Sequence, residues 1–338
     1  MSVFRRLLGH KADDADETDS MPGQDQARPE AGPPPEEVTA PASRVAPDAE
    51  VAPALLDEDY PADRPTMSDL YARERRAAPR PQGIRVGYAS DVGHMRDHNE
   101  DTLIVFQGAH LGDDGSDPFG FFVVADGMGG HRAGEVASSL AARLVCRDVL
   151  KNVYLPFLLD ERPSLDMAPL TEILKESVEN ANDQVHERVP GGGTTLTCAL
   201  ILGQRAYIAH VGDSRAYLLT NYDMHQVTHD HSYVGRLIEL GELSPEEAAV
   251  HPQRHVLYRA IGQGDNLDID TYHQPLPPGS RLLLCSDGLT GVVSEEKIGG
   301  IIASAATPQE ACERLLDAAN AAGGPDNITA VLIEIPDA

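Results

Sequence analysis

Five acidic segments carry the residues able to do chemistry: Arg96-Asp97-His98-Asn99-Glu100-Asp101, Asp126-Gly127-Met128-Gly129-Gly130-His131, Gly212-Asp213-Ser214-Arg215, Ser286-Asp287-Gly288-Leu289 and Gly324-Pro325-Asp326-Asn327. Most of these aspartates sit where an apolar run ends and the chain turns. One Asp-Gly pair is an ordinary hairpin turn. Several, each closing a buried run, point to one shared cation site, because gathering unpaired carboxylates is costly without a metal. Hard oxygen donors, with neither cysteine nor clustered histidine among them, select Mg²⁺ or Mn²⁺ over zinc or copper. Two such ions roughly 3.5–4 Å apart, sharing a carboxylate, activate water and clamp a phosphoryl group. Arg96 suits that chemistry, since guanidinium binds phosphate oxygens in a bidentate fork. With no nucleophilic Ser or Cys motif, the pattern predicts direct attack by water on a phosphate ester.

The elements that must position these residues begin at residue 84. Apolar runs predict strands over 84–89, 102–106 and 119–125, the last apolar enough to be buried on both faces. Helical spacing covers 134–154 and 169–189. Strands follow over 194–202, 205–211 and 214–220, then short helical pieces (233–240, 245–250) in a polar, histidine-rich stretch. A strand over 281–285, helices over 294–305 and 308–321 and a strand over 328–335 complete the order. Paired helices between runs of strands cannot make regular parallel crossovers. The expected class is α+β: two packed antiparallel sheets, a β-sandwich, flanked on each side by pairs of helices.

Residues 1–82 differ in kind. They hold 12 of the chain's 25 prolines, with 17 acidic and 10 basic residues. Such a stretch cannot offset its ordering entropy by burial and is expected to be a disordered extension. Two short amphipathic islands (3–8 and 67–77) interrupt it. The expected domains are this extension, 1–82, and a catalytic domain, 83–338. A formal net charge of −27 excludes nucleic acid or an anionic membrane as main partner. No apolar run reaches the length of a membrane span, and no secretory signal is evident. Cys146, Cys198, Cys285 and Cys312 are widely spaced within apolar segments, as for reduced thiols in a cytoplasmic protein.

In order, Arg-x3-Glu-Asp, Asp-Gly-Met-Gly-Gly, Gly-Gly-Thr-Thr at 192–195, Gly-Asp-Ser-Arg, Asp-His-Ser at 230–232, Ser-Asp-Gly-Leu and Asp-Asn resemble the motifs of the metal-dependent Ser/Thr protein phosphatases of type 2C, in their bacterial form. The resemblance spans about 84–335. It implies that Asp126 bridges two ions and that the Gly127 carbonyl binds one of them. Glu100, Asp287 and Asp326 would complete the shell, Asp101 would orient a bound water or lie just behind the ligands, and Arg96 would hold the substrate phosphate. Asp213 would serve a weaker third ion. The segment about 228–256 aligns with a mobile flap beside the site. Two positions depart from the pattern. Met128 stands where eukaryotic members carry a histidine proposed as general acid, which leaves His131 or a metal-bound water for that role. Gly291 replaces an aspartate that supports the third ion in many members. The activity implied is hydrolysis of phosphoserine and phosphothreonine in proteins by metal-activated water, opposing a cognate Ser/Thr kinase, in a monomer. Two alternatives share the motifs: a pseudoenzyme or phosphoprotein-binding regulator, and a hydrolase of small phosphoesters. Of the remaining histidines, His210 is expected to be a packed core residue. His229, His231, His251 and His255 could form a transition-metal patch, although the resemblance favours His231 as part of the flap.

Overall fold

The computed structural model describes residues 83–109, 118–129, 132–159, 169–220, 223–244, 247–248, 250–264 and 267–335. The extension expected over 1–82, with its two islands, lies outside them.

Phe121-Phe122-Val123-Val124-Ala125 shows how the sequence builds the layers. Side chains alternate along a strand. On β3 (Pro118–Met128), Phe122 and Val124 therefore face one way, while Phe121, Val123 and Ala125 face the other. The first set meets Ala216, Leu218, Leu282, Leu284, Val331 and Ile333 in a core between two sheets. The second packs under helices α1 (Arg132–Val149) and α3 (Leu170–Arg188).

One sheet has the order β1 (Arg85–Asp91), β11 (Ile328–Glu334), β10 (Arg281–Cys285), β7 (Arg215–Thr220), β8 (Asp223–Gln226). The other runs β2 (Asp101–Ala109), β3, β5 (Leu196–Leu202), β6 (Arg205–Val211), β9 (Asp270–Pro275), with the two-residue β4 (Gly193–Thr194) paired to β3. Every named pairing is antiparallel. On the far face of the first sheet, Ile298 and Ile302 of α6 (Glu295–Ser304) and Leu315 of α7 (Pro308–Ala321) cover Tyr217, Leu283 and Leu332. Ser294 and Thr307 cap these two helices by accepting hydrogen bonds from the Lys297 and Glu310 amides. The helix-flanked sandwich expected from the pattern is the architecture observed.

Differences are local. The helix expected over 134–154 is α1 followed by a π-helical turn (Leu150–Tyr154), and a further turn, α2 (Leu155–Leu158), lies beyond it. Strands β8 and β9 carry mainly polar residues, so hydropathy does not announce them. Of the flap, α4 (Tyr233–Glu239) matches its expected helix, whereas half of the piece expected over 245–250 lies outside the described residues.

Antiparallel register decides where the acidic segments go. Asp91 pairs with Ile328, Asp101 with Asp126, Leu196 with Val211, and Cys285 with both Arg215 and Ala330. The ends of β1, β3, β6 and β10 and the starts of β2, β7 and β11 therefore share one end of the sandwich. All five segments emerge there.

Candidate active site

Asp126 is held by its main chain. Its amide donates to Thr195 Oγ1 at 2.9 Å, and its carbonyl accepts from Thr194 Oγ1 and the Thr195 amide, both at 2.8 Å. Thr195 Oγ1 lies 2.7 Å from Ser214 Oγ, which ties this turn to the one carrying Asp213. The Asp126 side chain is left for the site.

Opposite it in register, Asp101 accepts a hydrogen bond at Oδ2 from the Ser286 hydroxyl, 2.8 Å away. Ser286 Oγ in turn accepts from the Thr329 amide at 3.0 Å. Asp101 Oδ1 is sealed from solvent and has no hydrogen-bond partner among the described residues. Glu100 is buried. Its amide donates to Asn327 Oδ1 at 2.8 Å, while its carbonyl accepts from the Gly127 amide and the Ser138 hydroxyl. A Cβ on Gly134, near the start of α1, would collide with Glu100 Oε2, so this glycine makes room for the carboxylate.

Arg96 donates from one terminal nitrogen to Asp326 Oδ2 at 2.8 Å, and Asp326 Oδ1 accepts from the Asn327 amide. Partial burial alone would lower the Arg96 pKa. The charge and hydrogen bond of Asp326, with Glu100 and Asp126 beyond, reverse that and raise it. Asn327 braces the whole loop, since its side-chain nitrogen donates to the Val92 and His98 carbonyls. Asp287 opens a single turn, α5 (Asp287–Thr290), and its Oδ2 lies 3.7 Å from His255 Nδ1. A Cβ on Gly288 would overlap the Asn327 carbonyl, so glycine lets this turn seat against the last strand. Gly291 donates its amide to the Asp287 carbonyl and offers no carboxylate.

The charges are unbalanced. Burial, then Asp101, Asp287, Asp213 and Asp326, push the Asp126 carboxyl well above the ordinary range. Burial, then Asp287 and Asp230, do the same to Asp213. Burial pushes Asp101 up to about 7, with Asp287 and Asp326 adding to it and hydrogen bonds from Thr329 and Ser286 opposing. A divalent cation placed among such acids would relieve their mutual repulsion. Among the described residues, no three His, Cys, Asp or Glu side chains stand ready-made around one point. The donor set is all oxygen, and the orphaned Asp101 Oδ1 gives it one buried acceptor with nothing to accept. It therefore fits hard divalent cations.

Arg96, Glu100, Asp101, Asp126, Gly127, Asp213, Asp287 and Asp326 thus lie at the same end of the sandwich. Gly130 and His131 lie outside the described residues. The flap histidines are dispersed: His229 contacts Tyr272, His251 accepts from the Gln253 amide, and His255 faces Asp287. No transition-metal patch forms among them in the described residues. His231 accepts from the Gly212 amide at Nδ1, and its Nε2 meets Asp270 and Arg259. With the bridges Ser232↔Leu257 and Thr194↔Ile261, it anchors the flap base beside Asp213. His210 is fully buried. Its Nε2 lies 3.0 Å from the His229 carbonyl, which only an N–H can satisfy, and its Nδ1 lies 2.9 Å from the Thr197 hydroxyl, which also reaches the Ser214 carbonyl at 2.8 Å. Burial, reinforced by His231, lowers its pKa to about 4. The sequence gives no individual role to Asn327, Ser286 or Thr195, and offers His255 only as a member of a transition-metal patch. The first three stand inside the motifs, so their position was the available signal. Nothing in the chain pointed His255 at Asp287.

A family profile described as protein phosphatase 2C matches residues 87–235. The serine/threonine phosphatase stp of Listeria monocytogenes is 40% identical over 247 residues, covering 73% of this chain and 94% of that protein. A crystal structure of the Mycobacterium tuberculosis serine/threonine phosphatase PstP superposes with a TM-score of 0.61 at 34% identity, covering 75% of this chain and 99% of the other. A structure of the PstP catalytic domain in complex with two manganese ions gives the same TM-score, identity and coverage.

Proposed function

The chain belongs to the protein phosphatase 2C family, in its bacterial form, and from that we infer how the carboxylate end of the sandwich works. The protein is a metal-dependent phosphoprotein phosphatase acting on serine and threonine. Asp126, Glu100, Asp287, Asp326 and the Gly127 carbonyl would hold two divalent ions. Asp101 would stand at their edge, its orphaned Oδ1 available to a ligand or to a ligand's water. Asp213 would hold a third ion, weakened by glycine at 291. Bound there, the cations supply an activated water and cancel the charge of the phosphoryl group.

The chain's own residues do the rest. Arg96 spends one nitrogen on Asp326 and keeps four further N–H donors for the phosphate oxygens. The Asn327 brace fixes the loop that carries Arg96, so the guanidinium meets the phosphate with little reorganisation. Thr194 and Thr195 hold the Asp126 main chain, which fixes where its side chain starts. We assign protonation of the leaving alkoxide to a water or to His131.

Manganese is the proposed ion, as in the PstP complex, with magnesium as substitute. The proposed catalytic unit is 83–338, with 1–82 as an extension to it. The proposed setting is the cytoplasm, and the proposed antagonist is a Ser/Thr kinase. The thiols of Cys198, Cys285 and Cys312, pushed up to about 12 chiefly by burial, suit a reduced protein. No helix of the described residues is long and apolar enough to cross a membrane. The proposed state is a monomer.

The observation that carries the site assignment is the gathering of Glu100, Asp101, Asp126, Asp213, Asp287 and Asp326 at one end of the sandwich, with the buried Asp101 Oδ1 unpartnered among the described residues. The test is hydrolysis of a phosphothreonine peptide with Mn²⁺, Mg²⁺ or excess chelator, for wild type and Asp126→Asn. Turnover should need metal and fall at least ~10²-fold in the variant, the scale seen when transition-state charge loses one stabilising group. Equal turnover by the variant would refute the assignment.

A further inference from the structure

Next to the carboxylate end lies an open cavity of about 670 Å³, to which no part of the mechanism gives a use. Its walls are Met128, His186, Pro190 and Gln263, with glycines at 129, 191–193 and 262. The size is that of a ligand pocket, roughly 300–1,000 Å³.

Its position is informative. Met128 stands two residues beyond Asp126 on β3, a strand distance of about 7 Å. A polypeptide in extended form advances about the same distance over two residues. With a phosphorylated residue at Asp126, the side chain two or three positions away therefore reaches this cavity. The walls are built before anything binds. Gln263 Nε2 lies 3.4 Å from the Met128 sulfur, His186 Nδ1 lies 3.1 Å from the Gly262 carbonyl, and the Thr194↔Ile261 bridge ties the two sides together. Gly191, at φ 78°, has no atom within 4 Å of where a Cβ would stand, so that wall presents bare backbone to the opening.

Its chemistry is also distinct. In a chain of net charge −27, the described residues of the lining include no Asp, Glu, Lys or Arg. What it offers is a thioether, a proline ring, an amide, an imidazole and peptide groups. Met128 adapts to irregular apolar shapes, while exposed glycine backbone can pair with an extended chain. A charged side chain would find no counter-ion among these described residues and would lose hydration.

We propose that this cavity binds the substrate polypeptide flanking the phosphorylated residue and selects an uncharged apolar side chain two or three positions from it. This rests on the phosphatase reading and adds a sequence preference to it.

The experiment uses the full chain with Mn²⁺. Its substrates are p-nitrophenyl phosphate and equal-length phosphothreonine peptides carrying Leu, Ala, Glu or Lys singly at each position within three of the phosphothreonine. Wild type should favour Leu over Glu and Lys at one position by roughly fivefold or more in kcat/KM, the discrimination a side-chain pocket supplies. Gln263→Trp and His186→Trp, both at exposed positions, would fill the cavity. Each should lower the ratio of kcat/KM on the Leu peptide to that on p-nitrophenyl phosphate about tenfold, mainly through KM, and level the preference. A flat wild-type profile would overturn the proposal. So would a preference surviving in both variants, or both substrates declining in parallel. Wild type inert on p-nitrophenyl phosphate and every peptide would instead remove the phosphatase reading, and this proposal with it.

Discussion

Replacing Asp101 by Asn should stabilise the metal-free protein, and should do so most at alkaline pH. In the fold this carboxyl titrates near 7, against 3.8 for the unperturbed group, chiefly because it is buried. The native state therefore holds a proton that the unfolded chain has already released. Where the native state binds more protons, stability falls as pH rises. The penalty is absent below about pH 4 and complete above about pH 7. Three units at 1.36 kcal/mol each come to about 4 kcal/mol, of which more than half accrues between pH 5 and 8. Asparagine is nearly isosteric, keeps an oxygen for the Ser286 hydroxyl and carries no charge. Urea unfolding in excess chelator at pH 5, 6.5 and 8 reads the effect. The variant should exceed wild type by up to about 4 kcal/mol at pH 8, with the gap narrowing on acidification. Adding Mn²⁺ should stabilise wild type through binding to the native state and stabilise the variant less. A difference independent of pH, or a variant least stable at pH 8, would refute the claim that Asp101 is an uncompensated buried charge.

Three further outcomes follow from named contacts. Gly134→Ala should cost activity and metal affinity by roughly tenfold or more, read by Mn²⁺ titration of turnover, because its Cβ displaces Glu100; the opposite sign, a helix more stable by about 1 kcal/mol with activity intact, would mean that Glu100 is not needed there. Arg96→Ala should lower kcat/KM on phosphopeptides by ~10²-fold, and Arg96→Lys should not restore it, since lysine lacks the planar fork that can serve Asp326 and phosphate together. His210→Gln should remove a loss of stability on the acid side: the folded imidazole stays neutral down to about pH 4 while the unfolded one protonates near 6.5, so wild type loses stability as pH falls through that window, by about 3 kcal/mol, and thermal melts at pH 4.5 and 7 would show the variant losing less.

The two sheets and their flanking helices were legible because burial on both faces of β3 and β11 requires unbroken apolar sequence. β8 and β9 were not, because Asp223–Gln226 and Asp270–Pro275 are edge strands with few apolar residues to betray them. The turn at Asp287 was missed for another reason. Four residues leave no helical period to detect, and the Asp-Gly pair there reads equally as a plain turn. Just beyond the flap expected over 228–256, the Arg259 guanidinium binds Asp268 at 2.5 Å and Asp270 at 2.9 Å. That clamp joins residues near in sequence but separated by a bend, and no local pattern encodes it.

The candidate metal ligands stand out in the sequence for a physical reason that the bracing residues do not share. A carboxylate at the end of an apolar run conflicts with its surroundings, so it stands out in sequence. Asn327, Ser286 and Thr195 conflict with nothing, because small polar residues are ordinary in turns. Their importance appears only when the two sheets are assembled. Ser286 of one sheet reaches Asp101 of the other, Asn327 reaches Glu100, and Ser214 reaches Thr195. Away from this end the sheets meet through aliphatic side chains, whose contacts carry no direction. Here hydrogen bonds fix one sheet against the other to within tenths of an ångström. Glu100, Asp101 and Asp126 come from one sheet, Asp287 and Asp326 from turns flanking strands of the other, and Asp213 from the turn that links the two. Holding all six in one arrangement therefore requires directional ties, placed where the ions would bind.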